Sequence, residues 1–170
     1  LLNGKNIDNC EYSPSTFKIS PNINNDCMNI KDNSTIFIIL GDSHATHLYP
    51  MIKNSSIIDN FYIQTFNGCF FVADLISYPP KVNWSNKKKL SCQDYIYQET
   101  KRINDYFKNK FDEVFVLIAS RYTVYPTVST IADAQLNIIK NQNNIFEKFE
   151  NNMLNYFNKF NDDKINFVIF

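Results

Sequence analysis

The order of apolar segments predicts an α/β fold, a three-layer α/β/α sandwich built on a mostly parallel sheet. Three observations lead there. Short continuous apolar runs recur at 35–40, 61–66, 113–118 and 165–170, the pattern of strands buried on both faces. Between them lie stretches with apolar residues at helical spacing. The chain has 170 residues, 44% of them hydrophobic and 15% aromatic, which fits one globular domain able to bury a real core.

Taken in order, residues 1–33 are rich in Asn, Ser, Pro and Asp and show little periodicity. They read as an irregular lead-in to a domain over 34–170. Thr35 to Leu40 forms the first strand, with Gly41-Asp42-Ser43 directly after it. Ala45, Leu48, Tyr49, Met51 and Ile52 then fall at helical spacing. Phe61 to Phe66 is the second strand, closed by Asn67-Gly68-Cys69. Residues 72–95 read as a long loop carrying Pro79-Pro80, Trp84 and the solvated basic run Lys87-Lys88-Lys89. A helix is predicted over 95–109 from Ile96, Ile103, Tyr106 and Phe107, and a third strand from Glu113 to Ile118. A second loop, 119–133, holds Arg121, Tyr122, Tyr125 and Pro126. Ile145, Phe146, Phe149, Met153, Leu154 and Phe157 mark a helix over 144–160. The final run, Lys164 to Phe170, reads as a core strand with nothing after it. The expectation is therefore a fold truncated at its C-terminus, cut from a longer protein.

Lys+Arg and Asp+Glu balance at 17 each, which gives no general drive toward nucleic acid or an anionic membrane. No apolar run approaches the roughly 18–20 residues that span a bilayer. The opening LLNGKNIDNCEY lacks the basic start and apolar core of a signal peptide. The four cysteines, Cys10, Cys27, Cys69 and Cys92, permit two disulfides in any of three connectivities. Their spacing groups them as 10 with 27 and 69 with 92. Four buried free thiols are the alternative; disulfides, and an oxidising compartment, are the expectation. No Cys/His cluster suggests zinc, and nothing in the pattern calls for a metal or an organic cofactor.

In open α/β sheets, sites form at the carboxyl ends of the strands. Three segments fall there: Gly41-Asp42-Ser43-His44, Asn67-Gly68-Cys69 and Ala119-Ser120-Arg121. A serine at a strand-to-helix turn has its hydroxyl held at the sheet edge. Its backbone N–H points outward where a helix begins and negative charge is favoured. That suits a nucleophile whose attack creates an oxyanion. From the physics alone, Asp42 or Ser43 serves equally well as an ordinary helix N-cap.

Gly41-Asp42-Ser43-His44 after an apolar strand resembles the first block of the SGNH (GDSL-type) hydrolases. The longer run Ile38 to Pro50, with GDSHA followed by His47 and Pro50, resembles one branch more closely. That branch is the SGNH domain at the C-terminus of acyltransferase-3 family membrane enzymes, which O-acylate cell-surface sugars. The cysteine layout and Ser120-Arg121-Tyr122 after the third strand fit the same branch, so the resemblance covers most of the chain. It implies an SGNH-hydrolase, flavodoxin-like sandwich with Ser43 as nucleophile. Asp42, His44, His47, Gly68 and Arg121 would line the site or its oxyanion hole. Gly68 stands where the family's second block supplies an N–H. Arg121 follows the position of the family's third-block Asn, with oxyanion stabilisation, substrate anchoring or a structural ion pair as its possible roles. The family draws its general base from a DxxH motif near the C-terminus. The only histidines here, His44 and His47, sit just after Ser43, so the base and its Asp are expected beyond Phe170.

The function so implied is O-acylation, in particular O-acetylation, of cell-surface polysaccharide through a serine ester. The domain would work at the extracytoplasmic face, linked to an upstream membrane acyltransferase domain. Two alternatives share the fold: a secreted carbohydrate acetylesterase, and a non-catalytic sugar-binding domain that uses the aromatic loops around Trp84 and Tyr122 to Tyr125.

Overall fold

The computed structural model describes residues 10–12, 23–78, 85–120, 130–160 and 162–170. Eight strands occur among them. They are β1 (Glu11–Tyr12), β2 (Met28–Asn29), β3 (Thr35–Gly41), β4 (Phe61–Phe66), β5 (Leu75–Tyr78), β6 (Glu113–Ala119), β7 (Thr130–Asp133) and β8 (Ile165–Ile169). Four α-helical segments join them: α1 (Tyr49–Lys53), α2 (Asn86–Arg102), α3 (Lys108–Lys110) and α4 (Gln142–Asn158). Six strands form one sheet in the order β1-β4-β3-β6-β8, with β2 also paired to β4. All its pairings are parallel except β2 with β4. The expected mostly parallel α/β fold is what forms. Two pieces of the lead-in, β1 and β2, pair with β4 and so belong to this sheet.

The four apolar runs become β3, β4, β6 and β8 because each is long enough to cross the sheet once and carries β-branched and aromatic side chains. Ile38, Tyr62, Val116 and Phe167 stand at one register level and therefore on one face. Both long helices pack there. Phe107 lies 5.0 Å from the Tyr62 ring, Tyr95 of α2 stacks on Phe66 at 5.7 Å, and Tyr156 of α4 meets Phe167 at 6.0 Å. On the opposite face Ile39 and Ile63 are buried. Tyr49 of α1 packs on Phe61 at 6.0 Å, while Phe37 and Phe115 stack on each other at 5.2 Å and stay half-buried.

An ion pair is buried under β4. Arg102 Nη1 donates to the Tyr62 hydroxyl at 2.9 Å and to Glu99 Oε1, and the Tyr62 hydroxyl donates to Glu99 Oε2 at 3.1 Å. Burial pushes the Glu99 carboxyl up to about 7 against the opposing pull of Arg102.

Several boundaries differ from expectation for identifiable reasons. Helix α2 begins at Asn86, not near 95, so the lysine run is helical and Cys92 lies on a helix. That first turn is polar throughout and carries no apolar stripe, although Lys is a good helix former. After Arg102 the helix passes through a π turn, Ile103–Phe107, before α3. The two expected loops each contain a strand, β5 and β7, which pair antiparallel with each other in a separate two-stranded sheet. The helix expected after Ser43 is a 3₁₀ segment, Ala45–Leu48, followed by the five-residue α1. Pro50 has no N–H to give to Thr46, and Tyr49 N–H bonds Thr46 O instead, closing a 3₁₀ turn. Met51, Phe146 and Leu154 were expected on apolar faces but are 59%, 50% and 53% exposed. In α4 the buried stripe runs through Ile145, Met153 and Tyr156. Trp84, Arg121, Tyr122 and Tyr125 lie outside the described residues.

Candidate active site

Strands β3, β4 and β6 end together at one sheet edge, where Gly41 pairs with Thr65 and with Ala119. The turn that leaves β3 is held against β6. Asp42 N–H donates to Ala119 O at 3.2 Å. Gly41 has φ +138°, and a Cβ built on it would lie 1.8 Å from Ala119 O. Only glycine permits that approach and that backbone. A chain passing so close to β6 turns sharply, and Ser43 comes out at the rim of the sheet, partly exposed.

Asp42 is fully buried, with 0% exposure. Its Oδ1 accepts His44 N–H at 2.7 Å, and its carbonyl accepts Ala45 N–H at 3.0 Å. The side chain thus closes a local turn ahead of the 3₁₀ segment, whose N-cap position is His44 and not Asp42 or Ser43. It does more than close that turn, since Oδ2 accepts the Ser120 hydroxyl at 3.3 Å. The same Ser120 Oγ lies 3.2 Å from Cys69 O. Ser120 therefore ties the turn after β3 to the turn after β4. It sits in the segment the sequence placed at the sheet edge, but no role was assigned to it. The signal available was a hydroxyl directly after a buried strand.

Ser43 itself is held from behind, because its carbonyl accepts the Thr46 hydroxyl at 2.5 Å. Among the described residues, no hydrogen bond engages Ser43 Oγ or Ser43 N–H. His44 and His47 stand close to each other, ring centroids 5.4 Å apart. His44 Nδ1 lies 3.7 Å from Asp42 Oδ1, while His47 is exposed. Neither makes a hydrogen bond to Ser43.

Gly68 lies in the turn closed by Cys69 N–H to Phe66 O at 3.0 Å. Its φ of +72° is one that glycine adopts without strain. The residue is exposed, and among the described residues its N–H has no acceptor. Beside it, Cys69 is bonded to Cys92, with Cα atoms 5.3 Å apart. The second disulfide joins Cys10 and Cys27, Cα atoms 5.4 Å apart, and ties the two pieces of the lead-in that pair with β4 to each other. Of the residues named from sequence, the structure gathers Asp42, Ser43, His44, His47 and Gly68 at the ends of β3 and β4. Arg121 falls outside the described residues, immediately after Ser120.

No helix among the described residues is long and apolar enough to cross a membrane. A family model described as the SGNH domain fused to AT3 domains matches residues 9–170. No curated protein and no solved structure matches the chain.

Proposed function

The chain belongs to the family of SGNH domains fused to AT3 domains, and from that membership we propose that it is the serine-dependent domain of an acyltransferase that O-acetylates cell-surface polysaccharide. The observation that carries the reading is Ser43. It stands at the carboxyl end of β3 on a turn only glycine can start, with its hydroxyl and N–H both unengaged among the described residues.

In the proposed reaction Ser43 Oγ attacks the acyl carbonyl carbon, and its proton passes to a general base. The carbonyl oxygen gains negative charge facing Ser43 N–H, with Gly68 N–H as the second donor. Loss of one such donor typically costs about 2.7–4 kcal/mol of transition-state stabilisation. The donor's leaving group departs with the proton, and the acyl group remains as a Ser43 ester. A sugar hydroxyl then attacks that ester and gives its proton to the base, which passes it to Ser43 Oγ as the ester bond breaks and the acylated sugar leaves. The family resemblance assigns the base to the histidine of a DxxH motif outside residues 1–170, and neither His44 nor His47 hydrogen-bonds Ser43. Asp42 and Ser120 hold the turn, and Arg121 is assigned to anchoring the substrate or the oxyanion.

Two disulfides support an extracytoplasmic setting, because such bonds persist in oxidising compartments. The fused AT3 domain is assigned the delivery of acyl groups across the membrane. The test is Ser43→Ala in the whole gene product, expressed in cells that lack the native copy. Acetate released by mild base from the cell-surface polysaccharide should fall to the level of the deletion. Undiminished acetylation in cells holding the folded variant would refute the nucleophile and turn the reading toward a sugar-binding domain.

A further inference from the structure

Helix α2 reaches under the site with neighbouring side chains of a single turn. Cys92 is bonded to Cys69. Gln93 Nε2 donates to Val72 O at 3.0 Å and to Leu75 O at 2.6 Å, and its Oε1 accepts Asp74 N–H at 2.9 Å. Asp74 has φ +61°, so this side chain fixes a left-handed residue in the loop that follows Cys69. Tyr95, fully buried, bonds the sheet itself. Its hydroxyl accepts Gly41 N–H at 3.2 Å and donates to Gln64 O at 2.5 Å.

The register explains what that hydroxyl does. Phe37 pairs with Phe61, and Phe37 N–H bonds Asn60 O at 3.1 Å. The same parallel register, carried up to the Gly41–Thr65 pair, puts Gln64 O opposite Gly41 N–H. This is the last rung before the nucleophile turn, and the Tyr95 hydroxyl bonds both of its ends. The end of β3 is therefore fixed on the β6 side by Asp42 N–H to Ala119 O, and on the β4 side by a side chain from a helix. Gly41 is two residues from Ser43.

We propose that Tyr95 is a positioning residue for acyl transfer: its hydroxyl sets the height of the turn that carries Ser43 and so places the Ser43 hydroxyl and N–H together. The proposal rests on the reading of Ser43 as nucleophile. Burial pushes the Tyr95 phenol well above its ordinary value, so it remains an O–H donor to Gln64 throughout the working pH range. Its ring is locked by Phe66 at 5.7 Å, Phe71 at 5.6 Å and Tyr12 at 6.1 Å, all of which a phenylalanine would keep.

The experiment compares Tyr95→Phe, Tyr156→Phe and Ser43→Ala in the whole gene product with p-nitrophenyl acetate as acyl donor. Tyr156 is a second buried tyrosine on the same sheet face, bonded to Thr100 at 3.2 Å and not to the turn. Tyr95→Phe should lower kcat by about 10- to 100-fold, the scale of a misplacement near 1 Å, with KM within about twofold. Tyr156→Phe should leave kcat unchanged. A Tyr95→Phe kcat within about twofold of the parent, alongside a dead Ser43→Ala, overturns the positioning role and leaves the nucleophile standing. An active Ser43→Ala overturns the nucleophile instead. A second measurement needs no variant to fold. Hydrogen–deuterium exchange of the whole gene product, read by fragmentation at single amides, compares Gly41 with Gly68. Gly41 N–H should exchange far more slowly than Gly68 N–H, and exchange of Gly41 as fast as Gly68 refutes the bond on which the proposal depends.

Discussion

Replacing Gly41 by alanine puts a methyl group 1.8 Å from the Ala119 carbonyl oxygen and 2.8 Å from its carbon. Ordinary contact needs about 3.5 Å, so β3 and β6 must part by roughly 1.5 Å at their carboxyl ends. That movement breaks the buried Asp42 N–H to Ala119 O bond, now 3.2 Å long. An unpaired buried donor and acceptor cost about 1–3 kcal/mol. The backbone φ of +138° adds strain of about 1–3 kcal/mol once a Cβ is present. Together the loss should be about 2–6 kcal/mol, a large part of the roughly 5–15 kcal/mol that holds a domain folded. At about 2–4 °C per kcal/mol for a domain of this size, Tm should fall by about 4–24 °C. Gly68→Ala is the internal control. Its φ is also positive, +72°, but a Cβ there meets nothing within 4 Å. Only the left-handed backbone is penalised, at about 1 kcal/mol and a few degrees. Thermal melts followed by far-UV circular dichroism in non-reducing buffer compare the two. A Gly41→Ala protein that melts within about 3 °C of the parent, or no lower than Gly68→Ala, would refute the close approach and the account of the turn built on it.

The Cys69–Cys92 bond closes a sequence separation of 23, and its removal as Cys69→Ser with Cys92→Ser should cost about 3 kcal/mol in denaturant titrations. Alkylation of the unfolded, unreduced parent should modify no cysteine, and uptake of label there would contradict both disulfides. For Glu99 the folded carboxyl holds its proton up to about 7, while the unfolded chain releases it near 4.5. Between those values the folded state binds more protons, so stability falls as pH rises through the window, by at most about 1.4 kcal/mol per pH unit. Urea unfolding from pH 5 to 8 should show that slope in the parent up to about pH 7, level off above it, and lose it in Glu99→Gln; parallel profiles would count against the buried carboxyl as its source.

The chain reveals its α/β class through features that are local along it. A strand buried on both faces has to be a short apolar run, and β3, β4, β6 and β8 each are. The turn at Gly41-Asp42-Ser43 is legible because a strand that ends in glycine and is followed by capping residues leaves few other geometries. The even cysteine count likewise points to two closed loops, and the structure forms them between near neighbours. The start of α2 was hidden because lysine and asparagine carry no period. Strands β5 and β7 were hidden because each is four residues long and finds its partner far along the chain, Leu75 opposite Asp133. The groups that hold the site share that property. Ser120 reaches Asp42 across 78 residues, and Tyr95 reaches Gly41 across 54. Both act on backbone or carboxylate atoms of another segment, through a single hydroxyl. A hydroxyl has no preferred sequence neighbour and leaves no periodic trace, so its partner is set by which strands the sheet brings side by side.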